Sequence, residues 1–578
     1  MMKILRVDMT NQTVRTEPVP KKWEKFGGRA LTSAIVSEEV PPLAHPLDDQ
    51  NKLVIAGGLL CGTTAPISGR ISVGCKSPLT GTIKESNSGG QAAHMLGMLE
   101  IAAIVVEGKP EKGKLFKLVL KKDSFKLEPA TQYRLLDNYE LVDKLKAEYG
   151  DKNVAFITIG SAGERMLTGA SVAVTDPEMR PTRHAGRGGP GAVMGSKGLK
   201  AIICNAEGCE RRKPADEAKF REASRKFAKA LSEHPVTSEG LPTYGTNVLA
   251  NIINEAGGYP TRNFSDMGRF EAVGNLSGET QTDVMKKRGG MISHGCHRGC
   301  VIRCSGLYND KDGKYLSKRA EYETVWAFGP NCGISDLDEI QRLDRECDDI
   351  GLDTIEMGAA VAVAMDAGIC SFGDAKGAYD LLQEIRRGTP LGRIIGCGAK
   401  VVGQTFGVDR VPVVKGQAMP AYDPRAIKGI GVTYATTTMG ADHTAGYAIA
   451  TNILNVGGKV DPLGRQGQVE LSRNLQIATA AVDSTGLCLF VAFAVLDKPE
   501  AFEAIYEMLN AFYGWNLKGE DVTELGKTIL RMERDFNTRA GFTKEQDRLP
   551  SFMKRIPLKP HNAVFDIPDE ELDQVFNF

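Results

Sequence analysis

Through residues 1 to about 207 the apolar positions come in short β-type runs, and beyond about 215 they recur with a helical period. Ile4, Val7 and Met9, the turn at Asn11-Gln12 and then Val14 predict an opening hairpin. Further strand-like runs cover residues 52–56, 71–74, 102–107, 116–120, 154–159 and 199–204, separated by Gly, Pro and Ser clusters. A charged stretch with a proline at 209–214 marks the change of character. Residues 215–231 and 336–348 then predict amphipathic helices, 354–365 and 471–482 small apolar ones, and 373–388 another, whereas 396–424 reads as loop. Strands first and helices after predict an α+β protein. It has an antiparallel β-rich domain over 1–207 and two mainly α-helical domains over 208–415 and 416–578. No long-period repeat and no low-complexity tract is visible.

Bulk properties narrow the function classes. A chain of 578 residues exceeds one hydrophobic core, which agrees with several domains. Lys+Arg and Asp+Glu balance at 72 each, with no dense basic stripe, so a nucleic-acid partner is not expected. The longest apolar stretch, 487–496, is about half of the ~20 residues a membrane-spanning helix needs. The first residues carry no apolar segment of signal-peptide type, so a cytoplasmic location is expected. In that reducing compartment the twelve cysteines are not expected to form disulfides, and a tight group of them reads as a metal site.

One such group exists. Cys296, Cys300 and Cys304 lie within nine residues, so a single turn of chain can offer three thiolates to one centre. An iron–sulfur cubane takes four, and the fourth must come from elsewhere. Two other metal chemistries compete. Zinc could use the three thiols with His294 or His297, although no second knuckle is present. Radical chemistry on S-adenosylmethionine wants gaps of three and then two residues, and the second gap here is three.

A second motif occurs twice. Asp348-Asp-Ile-Gly351-Leu352-Asp353 recurs as Asp483-Ser-Thr-Gly486-Leu487-Cys488. Each copy ends an apolar helix at a glycine suited to a left-handed cap, and Asp353 is placed to N-cap the next helix with Glu356 as its capping-box partner. Singly, each is an ordinary helix corner. As a pair, two matched carboxylates could grip the halves of a pseudo-symmetric ligand, and Cys488, standing where the first copy has Asp353, supplies the missing fourth thiolate.

These features resemble the aldehyde ferredoxin oxidoreductase family over essentially the whole length. The resemblance is carried by Gly69-Arg70-Ile-Ser-Val with Lys76-Ser-Pro-Leu-Thr-Gly81, by Ser86-Asn87-Ser-Gly-Gly90, and by Arg183-His184-Ala-Gly-Arg187-Gly-Gly with Met194-Gly-Ser-Lys197. The three cysteines, Glu321-Tyr322-Glu323-Thr324, both Asp-x-x-Gly-Leu copies and Gly440-Ala-Asp-His443 complete it. Well-known members have two residues between the first two cysteines, and this chain has three.

The resemblance implies a tungsten or molybdenum ion held by the dithiolenes of two pyranopterins, one 4Fe–4S cluster on Cys296, Cys300, Cys304 and Cys488, and an N-terminal domain that cradles the pterins. It implies that Asp348, Asp353 and Asp483 hydrogen-bond the pterin rings, within corners shaped by Gly351, Leu352, Gly486 and Leu487. Arg70 would bridge cluster and pterin with Arg183 nearby, and Asn87 with the His184 carbonyl would hold a magnesium ion between the pterin phosphates. Glu323, Tyr322 and His443 would face the metal. Gly186-Arg-Gly-Gly-Pro-Gly191 satisfies a G-x-G-x-x-G string but follows a polar, proline-containing segment, not a strand. It reads as a loop whose N–H groups and arginines, Arg187 among them, receive phosphate.

The activity expected from the resemblance is oxidation of aldehydes to carboxylic acids. Electrons would pass through the cluster to ferredoxin or a small Fe–S subunit, within a homodimer or hetero-oligomer. Two alternatives are a reductive enzyme of the aromatic acyl-thioester type on the same scaffold and a non-catalytic Fe–S electron-transfer subunit.

Overall fold

The N-terminal runs become twelve strands in a computed structural model that describes residues 2–578. They are β1 (Lys3–Asp8), β2 (Thr13–Pro18), β3 (Leu53–Gly57), β4 (Ile71–Lys76), β5 (Ile83–Ser88) and β6 (Ile101–Glu107), then β7 (Phe116–Lys121), β8 (Ser124–Pro129), β9 (Val154–Thr158), β10 (Val172–Val174), β11 (Arg183–Ala185) and β12 (Leu199–Asn205). The expected hairpin is β1–β2, paired Val7 to Val14 across the turn at Asn11-Gln12.

The strands build two six-stranded sheets, ordered β2-β1-β6-β3-β4-β5 and β8-β7-β12-β9-β10-β11. Adding six to each strand number of the first order yields the second. Both sheets are antiparallel except for one pair each, β1–β6 and β7–β12. Registers repeat as well: Ser72 faces Asn87 across β4–β5, and Ala173 faces His184 across β10–β11. The N-terminal domain is therefore an internal duplication. This corrects the expectation of no repeat, because what repeats is strand order and register, not residue identity.

Helix α1 (Gly28–Glu39) joins β2 to β3, and Asn138–Tyr149 takes the same place between β8 and β9. Past the charged segment the chain is mainly helical. A small sheet of β13 (Met291–His294), β14 (Ser305–Asn309) and β15 (Tyr315–Lys318) brackets the cysteine loop. The helices that position the site are α2 (Tyr322–Phe328), α3 (Leu337–Ile350), α4 (Thr354–Asp366), α5 (Lys428–Thr436), α6 (Gln468–Thr485) and α7 (Gly519–Arg539). The region expected to be loop, 396–424, instead holds a helix, Ala399–Phe406, and a short hairpin of Val413–Val414 with Gln417–Ala418. Its periodicity was too short to read: only Ala399, Val402 and Gly403 of that helix are buried. Among the described residues no helix is long and apolar enough to cross a membrane.

Each Asp-x-x-Gly-Leu corner docks on one half of the duplicated domain, at the same place. Gly351 ends α3 at φ 82°, and its carbonyl accepts from Ser171 N–H at 2.9 Å, just before β10; Asp353 N–H donates to Gly169 O at 3.0 Å. Gly486 ends α6 at φ 88°, and its carbonyl accepts from Arg70 N–H at 3.0 Å, just before β4; Cys488 N–H donates to Ile67 O at 3.2 Å. Close approach requires glycine on the sheet side too. A Cβ on Gly160 would lie 2.2 Å from Ile350 O, and one on Gly58 would lie 1.9 Å from Gly486 N.

Candidate metal and cofactor centre

The matched docking places Asp353 and Cys488 at equivalent ends of two corners, and Ser171 and Arg70 at equivalent ends of two strands. One half of the frame thus carries a carboxylate and a hydroxyl where the other carries a thiol and a guanidinium.

Each corner also receives a buried cation. Lys318 Nζ lies 2.6 Å from Asp348 Oδ2 and 2.8 Å from Asp344 Oδ1. Arg29 forks onto Glu533 at 2.9 and 2.8 Å and reaches Asp483 Oδ2 at 3.5 Å. Burial, and then the neighbouring Glu85, push the Asp483 carboxyl up to about 8. Asp348 moves the same way through burial, against the pull of Lys318. Leu352 and Leu487, both buried, pin the two corners into separate apolar clusters. Asp353 caps α4 through Ile355 N–H at 3.0 Å, as expected. Its supposed capping-box partner does something else: Glu356 turns inward and accepts from Ala399 N–H at 3.0 Å and Ala418 N–H at 2.9 Å.

The three-cysteine loop leaves β13 and returns to β14, with His294 bridged to Cys304. The Cys296 and Cys300 thiols perturb each other: Cys300 is pushed up by its neighbour and then by burial, whereas Cys296 falls well below the usual thiol range. Cys488 and Cys304 both sit in the field of Cys296. Arg70 stands between the thiols and the second corner, with Cys488, Cys296 and Asp483 all stabilising its charge, and its Nε donates to Asn87 Oδ1 at 2.5 Å. Arg183 donates to Ser305 Oγ at 2.7 Å, and its guanidinium also feels the Cys296 thiol. A side chain on Gly89 would meet Cys296 Sγ at 2.9 Å and Arg70 Nη1 at 3.2 Å, so the Ser-Gly-Gly loop lets the cysteine loop approach.

His184 is buried, which lowers its imidazole to about 3, and Ser171 Oγ lies 2.7 Å from its Nδ1. It is neutral, so its 3.2 Å approach to Asp348 Oδ1 is not an ion pair.

Around Ala421 gathers a buried group of acid, imidazole and phenols. Glu323 Oε2 accepts from Ala421 N–H at 3.0 Å, and Tyr322, the residue before it, donates its hydroxyl proton to Ala421 O at 3.0 Å. Glu323 Oε1 has no hydrogen-bond partner among the described residues and lies 3.3 Å from His443 Nε2. Burial raises Glu323 to about 8 and lowers His443 to about 4. Tyr322, Tyr422, Tyr447 and His443 form one aromatic group, with Tyr422 5.4 Å from Tyr322 and 6.0 Å from His443. Arg187 ties this group to the frame. It donates to Asp353 Oδ2 at 3.3 Å and to the carbonyls of Ala441 and Ala418 at 2.7 and 2.5 Å. Its guanidinium is therefore engaged by protein groups and not held free for a phosphate, as the loop was expected to present it.

Sequence reading missed the supports of these residues. Arg29, Lys318 and Glu533 carry no motif and come together only through the fold. Asp442 is another: its carboxylate lies 2.8 Å from Lys84 Nζ and holds the His443 loop to β5. Burial opposes its charge, but Lys84 and Arg187 keep it well below the usual carboxylate range. Asp442 does stand beside His443 in a quoted motif, so that one was within reach.

The frame fits a polar group larger than a single ion. Ser72 Oγ, both amide atoms of Gln91 and Arg183 Nε are buried without a hydrogen-bond partner among the described residues. Such groups are costly unless something polar meets them.

These features define a pseudo-symmetric frame suited to a buried polar cofactor. The chain matches the family models for the N-terminal domain of aldehyde ferredoxin oxidoreductase over residues 4–206 and for its domains 2 and 3 over residues 222–577. It belongs to the aldehyde ferredoxin oxidoreductase family. A tungsten-containing aldehyde ferredoxin oxidoreductase of Pyrococcus abyssi (strain GE5 / Orsay) is 36% identical, covering 96% of this chain and 92% of the relative. One from Thermococcus kodakarensis is also 36% identical, covering 94% and 90%. The WOR-like subunit of an aliphatic sulfonate oxidoreductase of Pyrococcus furiosus is 27% identical, covering 96% and 90%. Among solved structures, the active-site complex BamBC of benzoyl coenzyme A reductase superposes with a TM-score of 0.81 at 19% identity, over 99% of this chain and 92% of that one, a likeness of fold.

Proposed function

We propose that this chain oxidises aldehydes to carboxylic acids at a tungsten bis-pyranopterin centre, with a 4Fe–4S cluster on Cys296, Cys300, Cys304 and Cys488 and ferredoxin or a small Fe–S subunit as acceptor. The observation that carries this reading is the matched docking of the two corners. It sets Asp348 and Asp483 at matching places on the two halves and has Cys488 at the end of one corner. The matched registers of Asn87 and His184 suit a magnesium ion shared by the two halves.

Oxidation of an aldehyde adds one water oxygen and releases two electrons and two protons. The bound metal, when present, supplies the two-electron acceptor and Lewis acid. Glu323 is the base, because its Oε1 has no hydrogen-bond partner among the described residues and its raised value poises it near neutrality. His443 is neutral at working pH, and its Nδ1, also without a partner among the described residues, hydrogen-bonds the substrate oxygen. Tyr322 is a positioning residue: its hydroxyl proton goes to Ala421, and that residue's N–H orients Glu323.

The test is aldehyde-dependent reduction of a viologen dye by anaerobically purified protein. Reduction by aliphatic or aromatic aldehydes is expected. No reduction by any aldehyde, with metal fully loaded, would overturn the reading.

A further inference from the structure

The cluster loop carries an uncommon surface. Between His294 and Cys304 there is no acidic residue, and the exposed side chains are Arg298, Val301 and Arg303. Val301 is 46% exposed, one of the few large apolar residues of the chain to be so open. Most exposed arginines elsewhere are bound to carboxylates, among them Arg221, Arg342 and Arg539. On this loop they are not. Arg298 reaches only the Asn153 side-chain oxygen, at 3.4 Å, and Arg303 only the Ser293 carbonyl, at 3.1 Å. Neither makes an ion pair among the described residues. A third exposed cation, Arg211, lies close enough to act on His94, whose ring Nε2 is 3.0 Å from Arg298 O. The Arg303 contact to Ser293 also joins the loop to β13. There Met291, 44% exposed, opens onto a groove shared with Leu307 and Tyr315. The carboxylate that lines this groove, Glu178, is held by His294 at 2.7 Å and Arg180 at 3.1 Å.

Of the three loop thiols, Cys300 has the most open neighbours. Cys300 is half-buried between Gly299 and Val301, both exposed, whereas Cys296 is followed by the buried His297 and Cys304 comes two residues after the buried Ile302. Electron transfer falls off steeply with distance, so a partner seated on the exposed Gly299 and Val301 would stand over the Cys300 corner. Two unpaired guanidinium groups flank that corner in a chain of zero net charge, with an apolar tip between them. A charged rim around an apolar centre is the anatomy of a transient docking site, in which charge sets the encounter rate and the apolar tip excludes water.

Resting on the cluster reading above, we propose that this collar docks a small acidic iron–sulfur protein over the Cys300 corner, where it collects electrons. Arg298 and Arg303 steer it, Arg211 extends the positive field, and Val301 with Met291 form the dry contact.

The test uses the anaerobic, metal-loaded protein with a recombinant acidic ferredoxin. The readouts are the KM for ferredoxin, binding of the enzyme to immobilised ferredoxin, and the aldehyde–viologen rate as control. The double charge reversal Arg298→Glu/Arg303→Glu is expected to raise the ferredoxin KM and the binding Kd at least about tenfold and to flatten their salt dependence, with viologen turnover within about twofold. Val301→Ser is expected to weaken binding at high salt, where steering is screened. Unchanged KM, Kd and salt dependence in the double variant, with viologen turnover intact, would overturn the docking face alone. Binding of the wild type to phosphatidylglycerol vesicles in preference to ferredoxin would overturn it too. Protein without iron would overturn the cluster and the docking face together, so the two failures are told apart.

Discussion

Glu323 and His443 titrate away from each other although they lie 3.3 Å apart, because burial disfavours the charged form of both. Glu323 must lose its proton to act as a base, so kcat/KM is expected to rise with pH through a midpoint near 8. Glu323→Gln should remove that limb and lower kcat by about 100-fold or more, with metal content unchanged. Steady-state pH profiles of both proteins check this. The same residue makes a folding prediction. Its carboxyl moves from an ordinary 4.5 to about 8 in the folded chain, so the folded state holds the extra proton and stability falls as pH rises between those values. In metal-free protein Glu323→Gln should therefore lose less stability than wild type from pH 5 to pH 8, as denaturant titration would show. Glu323 and His443 were found through family motifs. The values of their pKa were not legible, because they come from burial that no local pattern encodes.

The two helix corners are where element-level physics decides the site. Gly160 and Gly58 let each corner lie against its sheet, and a methyl group at either would strike backbone. Gly160→Ala is expected to destabilise the chain by about 2 kcal/mol or more and to cut bound pterin sharply. Gly274→Ala, where the added Cβ meets open space, serves as the control. Melting curves and pterin fluorescence after release measure both. Arg29 presents a second test. Arg29→Met would leave Glu533 and Asp483 without their buried cation and should cost about 3–5 kcal/mol. The repeated motif made the corners visible in advance, down to the left-handed glycine and the Asp353 cap. The capping-box role of Glu356 was misjudged, because backbone N–H groups of Ala399 and Ala418, distant in sequence, outcompete a local partner.

Over the whole molecule, strands-then-helices was readable from periodicity, and the α+β architecture follows from it. The duplication of the N-terminal domain was not. The two halves share strand order and register, which are set by backbone pairing, while their faces pack against different helices and have diverged in residue type. That duplication gives the motif pair its meaning. One half ends in Cys488 and Arg70, the other in Asp353 and Ser171, so a symmetric frame presents only one of its ends to Cys296, Cys300 and Cys304. Anaerobic purification followed by elemental analysis tests this most directly. The account predicts about four iron ions and about one tungsten or molybdenum ion per chain. Iron alone, or zinc in place of both, would contradict it.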